Sequence, residues 1–298
     1  MQSLWMVGAA LAFSVMGAVI KHVSAWHSAF EIVFFRGLVS ALLMGAWIFA
    51  SGRSVRTSRP GLHATRSLVG TTAMTCWFST FSVLPLATSV TLNYTSPLFI
   101  AIAVAAAGWW HGRTAPLRGW LYLAIAASFV GVLMILRPAI EHDQAGVLMV
   151  GLFSGMLAAV VYLQVRTLSR LGEPDWVVVF WFAVTNIVFG GIAATVTTGW
   201  HPLEWRNVGP LLLIGTLASA GQMMMTRAFG RGRTLLTANL QYLGVIFATV
   251  IGWVVFDDRF EWIEFAGILL IVVSGAVATR ISSAGSAAAA TRERPAPA

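Results

Sequence analysis

The chain has 298 residues, 58% of them hydrophobic and only 10% charged, with a mean hydropathy of +0.80. Soluble domains carry about a quarter charged residues, so few water-soluble readings survive and the chain belongs in a bilayer. The 19 Lys and Arg against 11 Asp and Glu sit mostly in short loops between apolar runs, which reads as membrane topology and not as a nucleic-acid surface.

Apolar runs of about twenty residues, the length that crosses a hydrocarbon core, fall at 2–20, 30–50, 65–84, 86–108, 118–136, 145–165, 176–198, 208–228, 233–256 and 260–280. The first run has no cationic lead and no clear cleavage site, so it is read as a retained span. Leu84, Pro85 and Leu86 leave almost no loop between the third and fourth runs; proline breaks a helix there and a tight hairpin is expected. The fold class is therefore an all-α integral membrane protein with ten transmembrane helices.

Charge bias tests that count. With both termini cytoplasmic, the inside loops and tail hold Arg53, Arg56, Arg59, Arg66, Arg113, Arg118, Arg166, Arg170, Arg227, Arg231, Arg233, Arg280, Arg292 and Arg294. The outside loops hold Lys21, Arg137, Arg206 and Arg259. Cations favour the cytoplasmic side, and Lys21 opposes that rule locally.

The stretch from Leu84 to Ile102, LPLATSVTLNYTSPLFIAI, combines membrane length with a dense set of hydrogen-bonding side chains. Lipid does not tolerate such a face, so it reads as a cavity wall. It has an echo, GRTLLTANLQYLGVIFA, from Gly232 to Ala248, and one constant offset pairs Phe81 with Phe229, Thr91 with Asn239, Asn93 with Gln241, Tyr94 with Tyr242 and Phe99 with Phe247. Five spans per half is an odd number, so the second half must enter the membrane upside down. The chain is divided into a first five-helix repeat at 1–138, a linker at 139–144, a second, inverted repeat at 145–280 and a disordered cytoplasmic tail at 281–298. Inverted repeats place a central cavity near the midplane between the halves.

Residues three and four apart share a helix face, so Thr91, Tyr94, Thr95 and Leu98 point one way, and Asn239, Tyr242 and Ile246 point the matching way in the other half. Asn93, Gln241, Gln222, Trp77, Tyr162 and Ser14 are further cavity candidates. Packing glue between helices, worth about 0.6 kcal/mol each in membranes, is the plainer role for the same groups. Arg36 stands inside a span, either paired with Glu31 or free to dock a substrate carboxylate. No Asp, Glu or His falls deep within a run, so no proton relay crosses the core. The single Cys76 offers no disulfide and no metal site. No catalytic residue, cofactor or metal is expected.

Ten spans in two inverted halves, the run LPLATSVTLNYTSPLF and the later run GWVVFDDRFEWIEFAGILLIVVSGAVA together resemble the EamA family of the drug/metabolite transporter superfamily, and within it the YddG type of amino-acid exporter. The resemblance covers residues 1 to about 280. In that family an acid followed by Arg succeeds the fourth helix of each half; Asp258 and Arg259 match it, while Gly108 to Arg113 contains no acid. The resemblance implies a midplane cavity on the Tyr94 and Tyr242 helices and export of small metabolites, often amino acids, from a bacterial inner membrane.

The expected protein is a monomeric exporter working by alternating access, with a small-molecule substrate and the lipid bilayer as partners and no nucleic acid. Nucleotide sugars or drugs on the same fold are the alternative cargo. An intramembrane enzyme is a distant one, because no His or carboxylate lies at depth to activate a serine.

Overall fold

The computed structural model describes residues 2–100, 144–232 and 240–258, and the shorter pieces 102–103, 123, 126–127, 130–131, 134, 237, 261–263, 265–270, 272–274 and 276–277. Most of the fifth expected span, most of the linker, the tail, the Gly108 to Arg113 motif and Asn239 lie outside the described residues. The described residues form helices and their connections: α1 Trp5–Val23 after a short 3-10 turn, α2 Ala29–Ala50, α3 Pro60–Thr80, α4 Leu86–Asn93, α5 Ala145–Arg170, α6 Asp175–Ala193 running on into a π turn at Ala194–Thr198, α7 Trp205–Arg231 and α8 Leu243–Phe256.

Five of these stretches are long and apolar enough to cross a membrane: Gln2–Val23, Ala29–Ala50, Ala145–Arg170, Asp175–Thr198 and Trp205–Arg231. Their outer faces carry large apolar side chains such as Leu42, Phe49, Val188 and Ile192, while Trp205 and Trp262 stand almost fully exposed. Apolar belts with tryptophan flanks suit lipid and its interfaces. The protein is an integral membrane protein.

The helices pair across the chain and not along it. The most intimate packing joins α1 to α7, α2 to α6 and α3 to α5, with α4 and α8 also touching each other. Without a hydrophobic drive between helices in lipid, small residues set these approaches. Gly190 is one: a Cβ there would stand 2.7 Å from the backbone nitrogen of Phe34 and 2.9 Å from the carbonyl oxygen of Phe30. Gly37 repeats the trick one turn deeper, against Ala183 and Asn186.

Two helices are interrupted where the sequence is most polar. α4 stops at Asn93, Tyr94 and Thr95 form a turn, and helix resumes at Ser96. Pro97 explains the stop: it lacks the N–H that would bond the Asn93 carbonyl and its ring crowds that carbonyl. In the other half Tyr242 sits in a turn between helical Gln241 and Leu243, the start of α8. No proline stands there; two residues on, within α8, the Gly244 carbonyl accepts from Ser14 Oγ at 3.0 Å.

Both ends of the bundle are closed by reciprocal contacts. At one end Ser28 caps α2, with Glu31 completing a capping box, and the Glu31 carboxylate also accepts from the His201 N–H at 2.8 Å and meets His201 Nδ1 at 2.7 Å and His27 Nδ1 at 3.3 Å. Nearby, Lys21 Nζ lies 2.7 Å from Asp258 Oδ1, and Asp258 Oδ2 accepts from the Leu86 N–H at 2.9 Å. Lys21, the cation that opposed the charge rule, thus pins α1 to the acid that caps α4. At the other end Glu173 accepts from the hydroxyls of Thr57 and Ser58 and meets His63 Nε2 at 3.1 Å. Burial works to raise the Glu173 carboxyl, but these hydrogen bonds outweigh it and hold it below the usual carboxylate range.

Candidate functional site

A cavity lies between α1, α2, α3, the α4 break, α5, α6 and α7. It is tight, about 70 Å³ of room for the centres of water-sized spheres, enough for several waters. Phe13, Met16, Met74, Trp77, Phe182 and Met225 give it an apolar wall, and Arg36, Arg66, Asn93, Tyr94, Tyr162 and Gln222 supply the polar groups. That mix, mostly apolar with a few convergent polar groups, is the composition of small-molecule sites.

Of the candidates read from the sequence, Arg36, Asn93, Tyr94, Trp77, Tyr162 and Gln222 line the cavity. Asn93 Nδ2 donates to Ser154 Oγ at 3.2 Å, and the Trp77 indole N–H donates to the Ser89 carbonyl at 2.9 Å. The Tyr162 ring stacks on Phe229 with centroids 4.5 Å apart. The Tyr94 hydroxyl is buried without a hydrogen-bond partner among the described residues. Gln241 sits one layer behind: its amide donates to Ser96 Oγ at 3.2 Å and reaches the Tyr162 hydroxyl at 3.5 Å.

Three candidates serve elsewhere. Thr91 Oγ1 donates to its own helix at the Ala87 carbonyl, and Ser14 ties α1 to Gly244. Tyr242 is buried in the α8 break without being among the lining residues. Ile246, expected to share the Tyr242 face toward the cavity, is half exposed on the outside. The break explains it, because the three-and-four spacing of one helix face does not carry through a turn.

The arginines correct two expectations. Arg36 does not pair with Glu31, whose carboxylate is taken by Ser28, His27 and His201. Five residues along a helix is a rotation of about 140°, so the two side chains leave opposite sides of α2. Arg66, counted with the cytoplasmic loop, is inside α3, because that helix begins at Pro60 and not near residue 65. Arg66 is 0% and Arg36 2% exposed.

The two guanidinium groups converge on one ring. Arg66 Cζ stands 4.0 Å and Arg36 Cζ 5.2 Å from the Phe182 centroid, so the two carbons are no more than about 9 Å apart. All three guanidinium nitrogens of Arg66 and Nε of Arg36 are buried with no hydrogen-bond partner among the described residues. Among the described residues no Asp, Glu or His lines the cavity. Arg66 was hidden in sequence by its polar surroundings, SRPGLHATRS, which put it at the very start of the expected span and among the cytoplasmic charges. Asn186, another buried amide that Thr71 Oγ1 meets at 2.6 Å, was the one amide in an otherwise mostly apolar run.

Known proteins match this chain over nearly its whole length. The EamA-like transporter family matches residues 1–137 and 144–280. A pseudopaline exporter of Pseudomonas aeruginosa is 30% identical over 273 residues, covering 89% of this chain and 91% of that protein. An S-adenosylmethionine uptake transporter of Rickettsia felis is 20% identical, covering 90% and 88%, and a riboflavin transporter of Rhizobium johnstonii is 24% identical, covering 85% and 82%. One crystal structure superposes with a TM-score of 0.66 at 18% identity, over 94% of this chain and 97% of that one, which shows the shared fold. The chain belongs to the EamA-like transporter family and is a membrane transporter of the drug/metabolite transporter superfamily.

Proposed function

We propose that this transporter exports small carboxylate-bearing metabolites, amino acids with aromatic or large apolar side chains among them, across a bacterial inner membrane by alternating access. The observation that carries the reading is the central cavity with two buried arginines that meet no carboxylate among the described residues. A carboxylate is what a guanidinium fork accepts in bidentate geometry, and the Phe, Met and Trp wall suits an apolar side chain. A relative exports pseudopaline, which supports the outward direction.

The architecture belonging to this reading is ten helices in two inverted repeats, 1–138 and 145–280, with both termini cytoplasmic. Support comes from the mirrored pairing of α1 with α7, α2 with α6 and α3 with α5, and from the interruptions at Tyr94 and Tyr242. Discontinuous helices at corresponding places in two halves flank transport sites in other inverted-repeat carriers. The reciprocal seals at Glu31 and Glu173 would open in turn as the halves rock.

The test is flux of a labelled amino-acid panel in proteoliposomes, with and without an imposed pH gradient. Faster movement of phenylalanine, tryptophan or leucine, indifferent to the gradient, is expected. Movement of no amino acid would redirect the reading to nucleotide sugars and drugs; flux that follows the gradient would overturn the absence of a proton relay.

A further inference from the structure

We infer that the cavity is built for a small organic dianion with an apolar body, held by Arg36 and Arg66 together, in preference to a zwitterion. The inference rests on the cavity being the transport site and narrows its cargo. Bringing one unpaired cation out of water is costly, and bringing two together adds repulsion. A protein that kept such charges for stability would give them carboxylates, yet the acids at both bundle ends are taken up by other partners and no Asp or Glu lines the cavity among the described residues.

Net charge decides between ligands. A zwitterionic amino acid brings one negative group to two positive ones, and its ammonium would sit in a cationic cavity with only Asn93, Gln222 and two tyrosine hydroxyls to receive it. A dianion cancels both arginines. The guanidinium carbons share the Phe182 ring and lie within about 9 Å, so one small molecule can reach both. The helices that carry them start at opposite ends of the bundle, Arg36 about 10 Å along α2 and Arg66 about 9 Å along α3. Each half of the ligand thus meets a cation belonging to a different entrance. Two carboxylates or one phosphate would supply the same charge.

The experiment uses three probes with a common phenyl body: benzylsuccinate, O-phosphotyrosine and phenylalanine. Each is tested on the full-length purified protein by thermal shift and, in proteoliposomes, by labelled flux. Benzylsuccinate or O-phosphotyrosine should move at least tenfold faster than phenylalanine, the faster of the two identifying the anionic group. In Arg66→Gln that preference should fall at least tenfold, and Arg66→Lys, which keeps the charge, should retain part of it. Phenylalanine moving as fast as both dianions would overturn the inference and leave the amino-acid exporter standing. No shift and no flux for any probe would overturn both. A preference undiminished in folded Arg66→Gln would remove Arg66 from the site and the paired clamp with it.

Discussion

The ends and the middle of the bundle treat buried charge in opposite ways. At the ends Glu31, Glu173, Asp175 and Asp258 each have partners, some several. In the middle Arg36 and Arg66 share a ring and have no hydrogen bond to any described residue. Removing one partner from a buried pair leaves the other charge uncompensated, whereas an unpaired charge already bears that cost. Charge at the ends therefore serves closure, and charge in the middle waits for something that is not protein.

The sharpest way to break this contrast is to remove the middle charges. Arg36→Met and Arg66→Met should each lower dianion flux by tenfold or more, while thermal unfolding in detergent stays level or rises; a large fall in melting temperature with flux retained would reverse the assignment. Glu31→Gln should do the opposite and cost about 3 kcal/mol in stability, read from denaturant unfolding, because it weakens the network of a buried carboxylate with the buried His27 and the half-exposed His201. A cost near zero would mean the seal is ornamental.

The Glu173 end carries its own pH signature. Its carboxyl is held below the ordinary value, so the stabilisation is complete above an unfolded value of about 4.3 and is lost as pH falls through the lower folded value. Hydrogen exchange around residues 57–63 and 173 should stay slow at pH 5 and quicken only below about pH 4. Quickening already near pH 6 would remove Glu173 as its cause. Lys21→Ala, at a partly exposed pair, should cost only about 1 kcal/mol. Tyr94→Phe removes a hydroxyl without a partner and should leave stability within about 0.5 kcal/mol, so any loss of flux reports contact with cargo.

Sequence carried some parts of this structure well and others poorly, for physical reasons. The polar stretch at Thr88 to Ser96 stood out because lipid forbids it, and Asn93 and Tyr94 do line the cavity. The Pro97 break was implicit in the residue itself, whereas the turn at Tyr242 has no proline to mark it. Helix α3 was begun five residues too late because its first turn is polar, which put Arg66 at the rim of the span among the cytoplasmic charges and not well inside the helix. Glu31 looked like the natural mate of Arg36 by proximity in sequence, yet helix rotation separates them and His201, 170 residues away, takes its carboxylate. Long-range partners of this kind leave no trace in periodicity.

The unpaired arginines also bear on what drives the carrier. With no Asp, Glu or His lining the cavity among the described residues, protons offer little to couple to, but a doubly negative cargo is itself coupled to voltage. Moving two elementary charges out of a cell whose interior is negative by 100 mV releases about 4.6 kcal/mol, enough to sustain a gradient of more than a thousandfold. The same positive midplane repels sodium ions and protons from the path. The arginine pair would thus make the membrane potential both the motor of export and a quantity that export does not short-circuit.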